Sequence, residues 1–168
     1  MTIKTTQTAE TIFTYLQNTP VAYAISKTNH LVGAGLQVVH IAGFLILLTA
    51  AVLINLRLFN AAFADRPFAQ IARTPLRLLW WGLSIAVVSG VLMFIASAVL
   101  YASKNVFSIK IISFVVAALV QVAVYVLFLR KALISPTAAT AISTRLAALL
   151  SLLLWLVVAA AGRGIGFF

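Results

Sequence analysis

Two histidines, two methionines and no cysteine leave this chain few side chains able to ligate a metal or carry a proton. His40 is the most informative of them. It lies in a run that carries no charge from Leu31 to Leu56, and an ionisable group held in hydrocarbon is costly and generally has a task. Gly33, Gln37 and His40 follow at i, i+4 and i+7, and Gly43 extends the stripe, so the four share one helix face. At about 1.5 Å of rise per residue, His40 falls roughly 14 Å below one end of its helix, and Met93 roughly 12 Å below the same end of the next. Lys110 is placed about one turn into a third apolar segment from that side, and Arg163 near the end of a fourth. One imidazole, one thioether and two cations at similar depth are the parts of a b-type haem site. His40 would be the metal ligand and Met93 an axial partner, with Lys110 and Arg163 on the propionates. A quinone is the other cofactor such donors suit. The competing reading is structural: a neutral His40 bonded to Gln37, Ser89, Ser97 or a carbonyl across a helix pair, with Lys110 and Arg163 as interface anchors. His30, about 15 Å away along the axis, cannot complete the same coordination within one subunit.

The elements that must position these residues follow from hydropathy. Of 168 residues, 64% are hydrophobic and 8% charged, with a mean hydropathy of +1.15, far from the usual quarter of charged residues in soluble domains. Spans are predicted over about 31–58, 78–101, 109–129 and 146–163, the last of them short, with Arg163 able to snorkel toward the headgroups. Short connections between them predict an all-α integral membrane protein, an up-down-up-down four-helix bundle forming one domain over 30–168. Residues 1–29 form a separate segment without a signal-peptide core. In it Ile12, Phe13 and Leu16 make a short interfacial helix that Asn18-Thr19-Pro20 ends, acting as a lid or spacer or, on a sharper reading, a gate. Residues 60–77, with Pro67 and Pro75, read as a polar loop. Each span carries an inward stripe of small or polar residues. These are Gly82, Ser89, Gly90, Met93 and Ser97 in the second, Lys110, Ser113, Ala117 and Gln121 in the third, and Ala147, Ser151, Trp155, Ala159 and Gly162 in the fourth. Close packing alone accounts for most of that pattern. Asn55 and Gln121 are expected to bond to neighbouring helices, and Trp155 to be core.

The net charge of +10 fits anionic lipid better than nucleic acid, because the basic residues flank spans and form no patch interleaved with exposed aromatics. Arg57, Arg66, Arg73, Arg77, Arg130, Lys131 and Arg145 fall on one side, and Lys4, Lys27, Lys104, Lys110 and Arg163 on the other. That bias places both termini outside the cytoplasm of a bacterial inner membrane. Glu10 and Asp65, the two acids, then lie on opposite sides, which removes two-acid catalysis and carboxylate metal cages. With no G-x-S-x-G, H-E-x-x-H or P-loop, the chain is not expected to be an enzyme on its own.

His40-Ile-Ala-Gly43, Asn55-Leu-Arg57-Leu58, Trp81 with Ser89-Gly90, Phe107-Ser-Ile-Lys110, Ser151-Leu-Leu-Leu-Trp155 and Gly162-Arg163 occur in this order over residues 31–163. This series resembles an uncharacterised family of small four-helix bacterial inner-membrane proteins. That family typically has aspartate before Leu-Arg-Leu, so Asn55 departs from it. The histidine-bearing span is more distantly similar to those of b-type cytochrome and copper-resistance membrane proteins, an analogy of fold. The functional readings are a haem- or quinone-binding electron-transfer subunit, an accessory subunit packed against a partner membrane protein or a second copy of the chain, and a small-molecule or ion carrier. The last is the weakest, because four spans show neither an inverted repeat nor a broken helix.

Overall fold

A computed structural model of the chain describes residues 2–28, 30–103 and 105–164. The N-terminal segment folds as α1 (Thr2–Gln17) and α2 (Pro20–Tyr23), followed by a widened π turn over Ala24–Thr28. Thr19 ends the first helix and caps the second, its hydroxyl oxygen accepting from the Ala22 N–H at 3.3 Å, as a threonine before a proline at the first helical position should. α1 is therefore longer than the helix expected around Ile12–Leu16.

Among the described residues, four helices are long and apolar enough to cross a membrane. α3 (His30–Leu58) and α4 (Phe68–Ala96) form the first pair. After a break at Ser97 come α5 (Ala98–Ala102) and α6 (Asn105–Val124). The last runs on through a π turn at Tyr125–Leu129 into α7 (Arg130–Ala132). α8 (Pro136–Thr140) and α9 (Ile142–Gly164) complete the chain. The protein is thus a multi-pass, all-helical membrane bundle with a short N-terminal helix, and its spans meet the bilayer on their exposed apolar faces. Val38 and Leu119, each 66% exposed, belong to those faces, which in lipid carry no penalty.

Several boundaries differ from those expected. The loop after the first span covers only residues 59–67, and Phe68–Arg77 is already helix, with Pro75 buried inside it. Proline removes one backbone bond and normally breaks a soluble helix, but membrane helices tolerate it where neighbouring helices surround the kink. α4 also stops at Ala96, short of Tyr101. Ser97, at φ −143° and ψ 40°, turns the chain into α5. Arg130 and Lys131 do not stop the third span, which continues to Ala132. The fourth begins at Ile142, with Thr144 donating to the Ala138 carbonyl at 2.8 Å and so tying α9 to α8.

The tight 59–67 turn has a specific clasp. Arg57 Nε donates to the Arg66 carbonyl at 2.9 Å, its Nη2 reaches the same oxygen, and Nη1 donates to Asn60 Oδ1 at 2.8 Å. Asn60 takes the left-handed conformation at φ 56°, which asparagine tolerates better than most residues. The Leu-Arg-Leu sequence thus ends α3 and folds the loop back on it.

α3 packs closely along α4, α6 along α9, and α3 meets α9; no comparable seam joins α4 to α6 among the described residues. The bundle is therefore two helix pairs joined through α3 and α9. Its buried apolar core, including Leu47, Leu58, Leu79, Leu129 and Trp155, is concentrated toward the end carrying the 59–67 and 133–135 connections. That end is called here the loop half. The other, where α1, α5 and the end of α9 lie, is the terminal half.

Candidate functional site

The α3–α4 pair is held at backbone contact by two glycines. A Cβ at Gly82 would stand 2.6 Å from the Leu47 nitrogen and 2.7 Å from the Gly43 oxygen, and one at Gly43 would stand 2.9 Å from the Ala86 nitrogen. Only the absence of both side chains lets the helices approach so far, the small-residue packing that membrane helices favour. One turn from Gly43 on α3 is His40, and one turn from Gly82 on α4 is Ala86, so the close approach delivers the imidazole onto the next helix. His40 Nδ1 lies 2.9 Å from the Ala86 carbonyl oxygen and 3.1 Å from Ser89 Oγ. Ser89 itself donates to the Ile85 carbonyl at 2.6 Å. Both partners of Nδ1 therefore act as acceptors, which assigns a proton to Nδ1 and leaves Nε2 outside the hydrogen bonds among the described residues. Gly90 completes the seat: a Cβ there would stand 3.0 Å from His40 Cε1.

Beside this ring the two helix pairs enclose a cleft of about 670 Å³, within the range of pockets that hold small molecules and cofactors. His40, Met93, Lys110 and Arg163, the four residues expected from sequence, all line it. Lys110 reaches from α6 toward α9 and rests on Gly162, where a methyl group would come within 3.6 Å of its Cε and Nζ. No acidic side chain lines the cleft. Any counter-charge for its cations must come from outside the lining.

Five aromatic side chains share the apolar lining with aliphatic ones such as Ile41, Leu45, Leu48 and Val158. Phe94 and Phe107 stack at 5.3 Å between centroids, and Tyr101 lies on Phe107 at 5.2 Å. Phe13 of α1 meets Phe94 edge-on at 6.0 Å, and the Gln17 side-chain oxygen accepts from the Val99 N–H at 3.1 Å. The N-terminal helix thus packs against Phe94 and Val99 at the terminal end of the cleft. On the opposite side, Phe44 and Phe114 form a floor backed by the edge of Trp155, at 6.0 and 5.9 Å. Trp155 is fully buried, with its Nε1–H donating to Gln121 Oε1 at 3.1 Å; Ser151 donates to the same oxygen at 2.7 Å. Asn55 Nδ2 donates to the Ala148 carbonyl on α9 at 3.3 Å. Trp155 is core, and the two carboxamides bond across helices, as expected.

Of the structural partners weighed for His40, Ser89 and a carbonyl across the pair are used; Gln37 and Ser97 are not among its bonds. The His30 side chain, and Lys104, lie outside the described residues. The sequence singled out Phe107, in Phe107-Ser-Ile-Lys110, but not Ala86 or the other phenylalanines of the cleft. Ala86 was recoverable, since it stands four residues from both Gly82 and Gly90 on the same stripe. Those other phenylalanines were not, because eleven in the chain, dispersed through apolar spans, carry no positional signal.

Among the described residues no group of three or more His, Cys, Asp or Glu side chains is placed to hold a bare metal ion. His40 is thus a metal ligand only where the metal brings other donors with it. No curated protein and no solved structure matches this chain. A family model does match, over residues 12–168, and it takes in all four spans and each cleft residue named above: the chain belongs to DUF6644, a family of unknown function.

Proposed function

We propose that this protein is a cofactor-binding electron-transfer subunit of a bacterial inner membrane, with both termini outside the cytoplasm and b-type haem as the cofactor of its cleft. The observation that carries the reading is the state of His40. Its Nδ1–H is committed to the Ala86 carbonyl and Ser89, the outer-shell arrangement that characteristically orients a metal-ligating imidazole, and its ring borders a cleft of about 670 Å³. The donor set fits the group. His40 would hold the iron, Met93 would be a soft neighbour, Lys110 and Arg163 would face the two carboxylates, and Phe44, Phe94, Phe107 and Phe114 would form apolar walls. A haem seated there would supply one-electron exchange. The protein's own part is to hold the imidazole in one tautomer, neutralise the anionic edge and keep water from the ring faces.

Purified protein, as isolated and after titration with haemin, should show a Soret band that His40→Ala abolishes. A chain that acquires no such band while folded overturns the reading. Quinone is the second reading, favoured by the presence of His40 and Lys110 in the same cleft, where each can donate to a quinone oxygen when protonated. Quinone co-purifying with a protein that shows no Soret band would select it. A stoichiometric membrane partner, with function retained by His40→Ala, would instead mark an accessory subunit.

A further inference from the structure

Beneath the cleft floor, in the loop half, lies a second and much smaller space of about 10 Å³. Its polar lining is Asn55, Gln121 and Ser151, and Ile54, Leu79 and Leu129 contribute to its apolar wall. Asn55 is 7% exposed. Its Nδ2 donates to the Ala51 carbonyl at 2.9 Å and the Ala148 carbonyl at 3.3 Å. Both partners are acceptors only, so the amide cannot be turned the other way without setting oxygen against oxygen. The Oδ1 atom that this leaves is buried and has no hydrogen-bond partner among the described residues. Across the space Gln121 accepts twice through Oε1, from Ser151 and Trp155, and still has the two N–H groups of its amide nitrogen.

We propose that this space is a built site for one water molecule, which donates to Asn55 Oδ1 and accepts from the Gln121 amide, bridging α3 to the α6–α9 pair. The size suits it, since about 10–15 Å³ is what a single water centre requires, and such a water needs two to four polar partners. A cation is a poor occupant, because the lining offers no carboxylate to offset its dehydration. The water ties Asn55 to the Gln121–Ser151–Trp155 set, and so fixes the floor on which the cleft stands, whatever ligand the cleft takes.

The test is a structure of the full-length purified protein at a resolution that shows internal water. One peak is expected within hydrogen-bond distance of both Asn55 Oδ1 and the Gln121 amide nitrogen. An empty space in a map that shows other internal waters, a peak touching Asn55 alone, or Oδ1 bonded to a protein donor overturns the proposal. Asn55→Leu and Gln121→Leu, singly and together, give a second readout. Residues sharing one water should couple, the double variant losing several degrees less in Tm than the two single shifts added; strictly additive shifts overturn the bridge. Where a variant does not fold, the wild-type map still decides.

Discussion

In the loop half, Gln121, Ser151 and Trp155 satisfy one another while Leu47, Leu58, Leu79 and Leu129 pack around them; in the terminal half, His40, Lys110 and Arg163 border an open cleft between the same four helices. Both halves put polar groups in hydrocarbon, but with different outcomes. The first ties Gln121, Ser151 and Trp155 together and leaves only a space of about 10 Å³ beside Asn55. The second sets His40, Lys110 and Arg163 on the wall of about 670 Å³ that no acidic side chain lines. Polarity in the loop half ties helices to one another, and in the terminal half it also borders open space. Substitutions should therefore separate: loop-half changes should lower stability, whereas changes around His40 should lower binding with the fold intact.

Trp155→Ala should have the largest effect. It removes a fully buried ring, two edge contacts and the donor to Gln121. Large-to-small changes at such positions cost about 3–5 kcal/mol, which for a chain of this size lowers Tm by roughly 10 °C or more. A thermal melt in detergent checks it. Because the floor of the cleft collapses too, haemin binding should fall with stability. A variant that melts like wild type would show that the halves are not divided at this floor.

Gly82→Val comes next. A Cβ at Gly82 meets the backbone of Leu47 and Gly43, which cannot rotate aside, so the α3–α4 pair must separate, at about 1–3 kcal/mol or somewhat more. Gly35→Ala is the matched control, because nothing lies within 4 Å of a Cβ there; its Tm should stay at or slightly above the wild-type value, alanine being the better helix former. Equal shifts for the two would remove the glycine contact as the element that seats His40.

How much of this was legible from residues alone follows from the same division. The membrane class, the four spans and the inward stripes are written in hydropathy and in a 3.6-residue period, signals that sum over many positions. His40, Met93, Lys110 and Arg163 could be gathered because charge and imidazole are rare in such a chain and depth along a helix is simple arithmetic. The helix ends were less legible. Pro75 is a helix breaker in water and the Arg130-Lys131 pair marks the end of an apolar run, yet α4 and the third span run through them. Bundle neighbours and headgroup-level solvation meet the needs that water would otherwise meet. The pairing of helices, tight for α3 with α4 and with no comparable seam between α4 and α6 among the described residues, was not legible either. It depends on Gly43 and Gly82 facing each other, a match between two stripes that neither stripe reveals by itself.

His40→Ala is expected to separate the two properties most cleanly. Interhelical hydrogen bonds in membranes average about 0.6 kcal/mol, so losing the contacts to Ala86 and Ser89 should shift Tm by only a degree or two, while the haemin-induced Soret band disappears. A large loss of stability would make the imidazole a structural tie and move it into the same class as Gln121.

Gly90→Ala should have the smallest effect on stability and is the finest test of the seat. The added methyl would stand 3.0 Å from His40 Cε1 and 3.4 Å from Nδ1, so the ring must yield by a few tenths of an ångström. A bare lining residue would tolerate that shift, because the cleft beside it has room. An iron ligand would not, since disturbing the groups that orient a metal-bound histidine costs about 10- to 100-fold in affinity. Haemin affinity falling about tenfold at unchanged Tm would thus identify the orientation of the imidazole, beyond its mere presence, as what α4 provides. Unchanged affinity would leave His40 as one polar group among several on the wall.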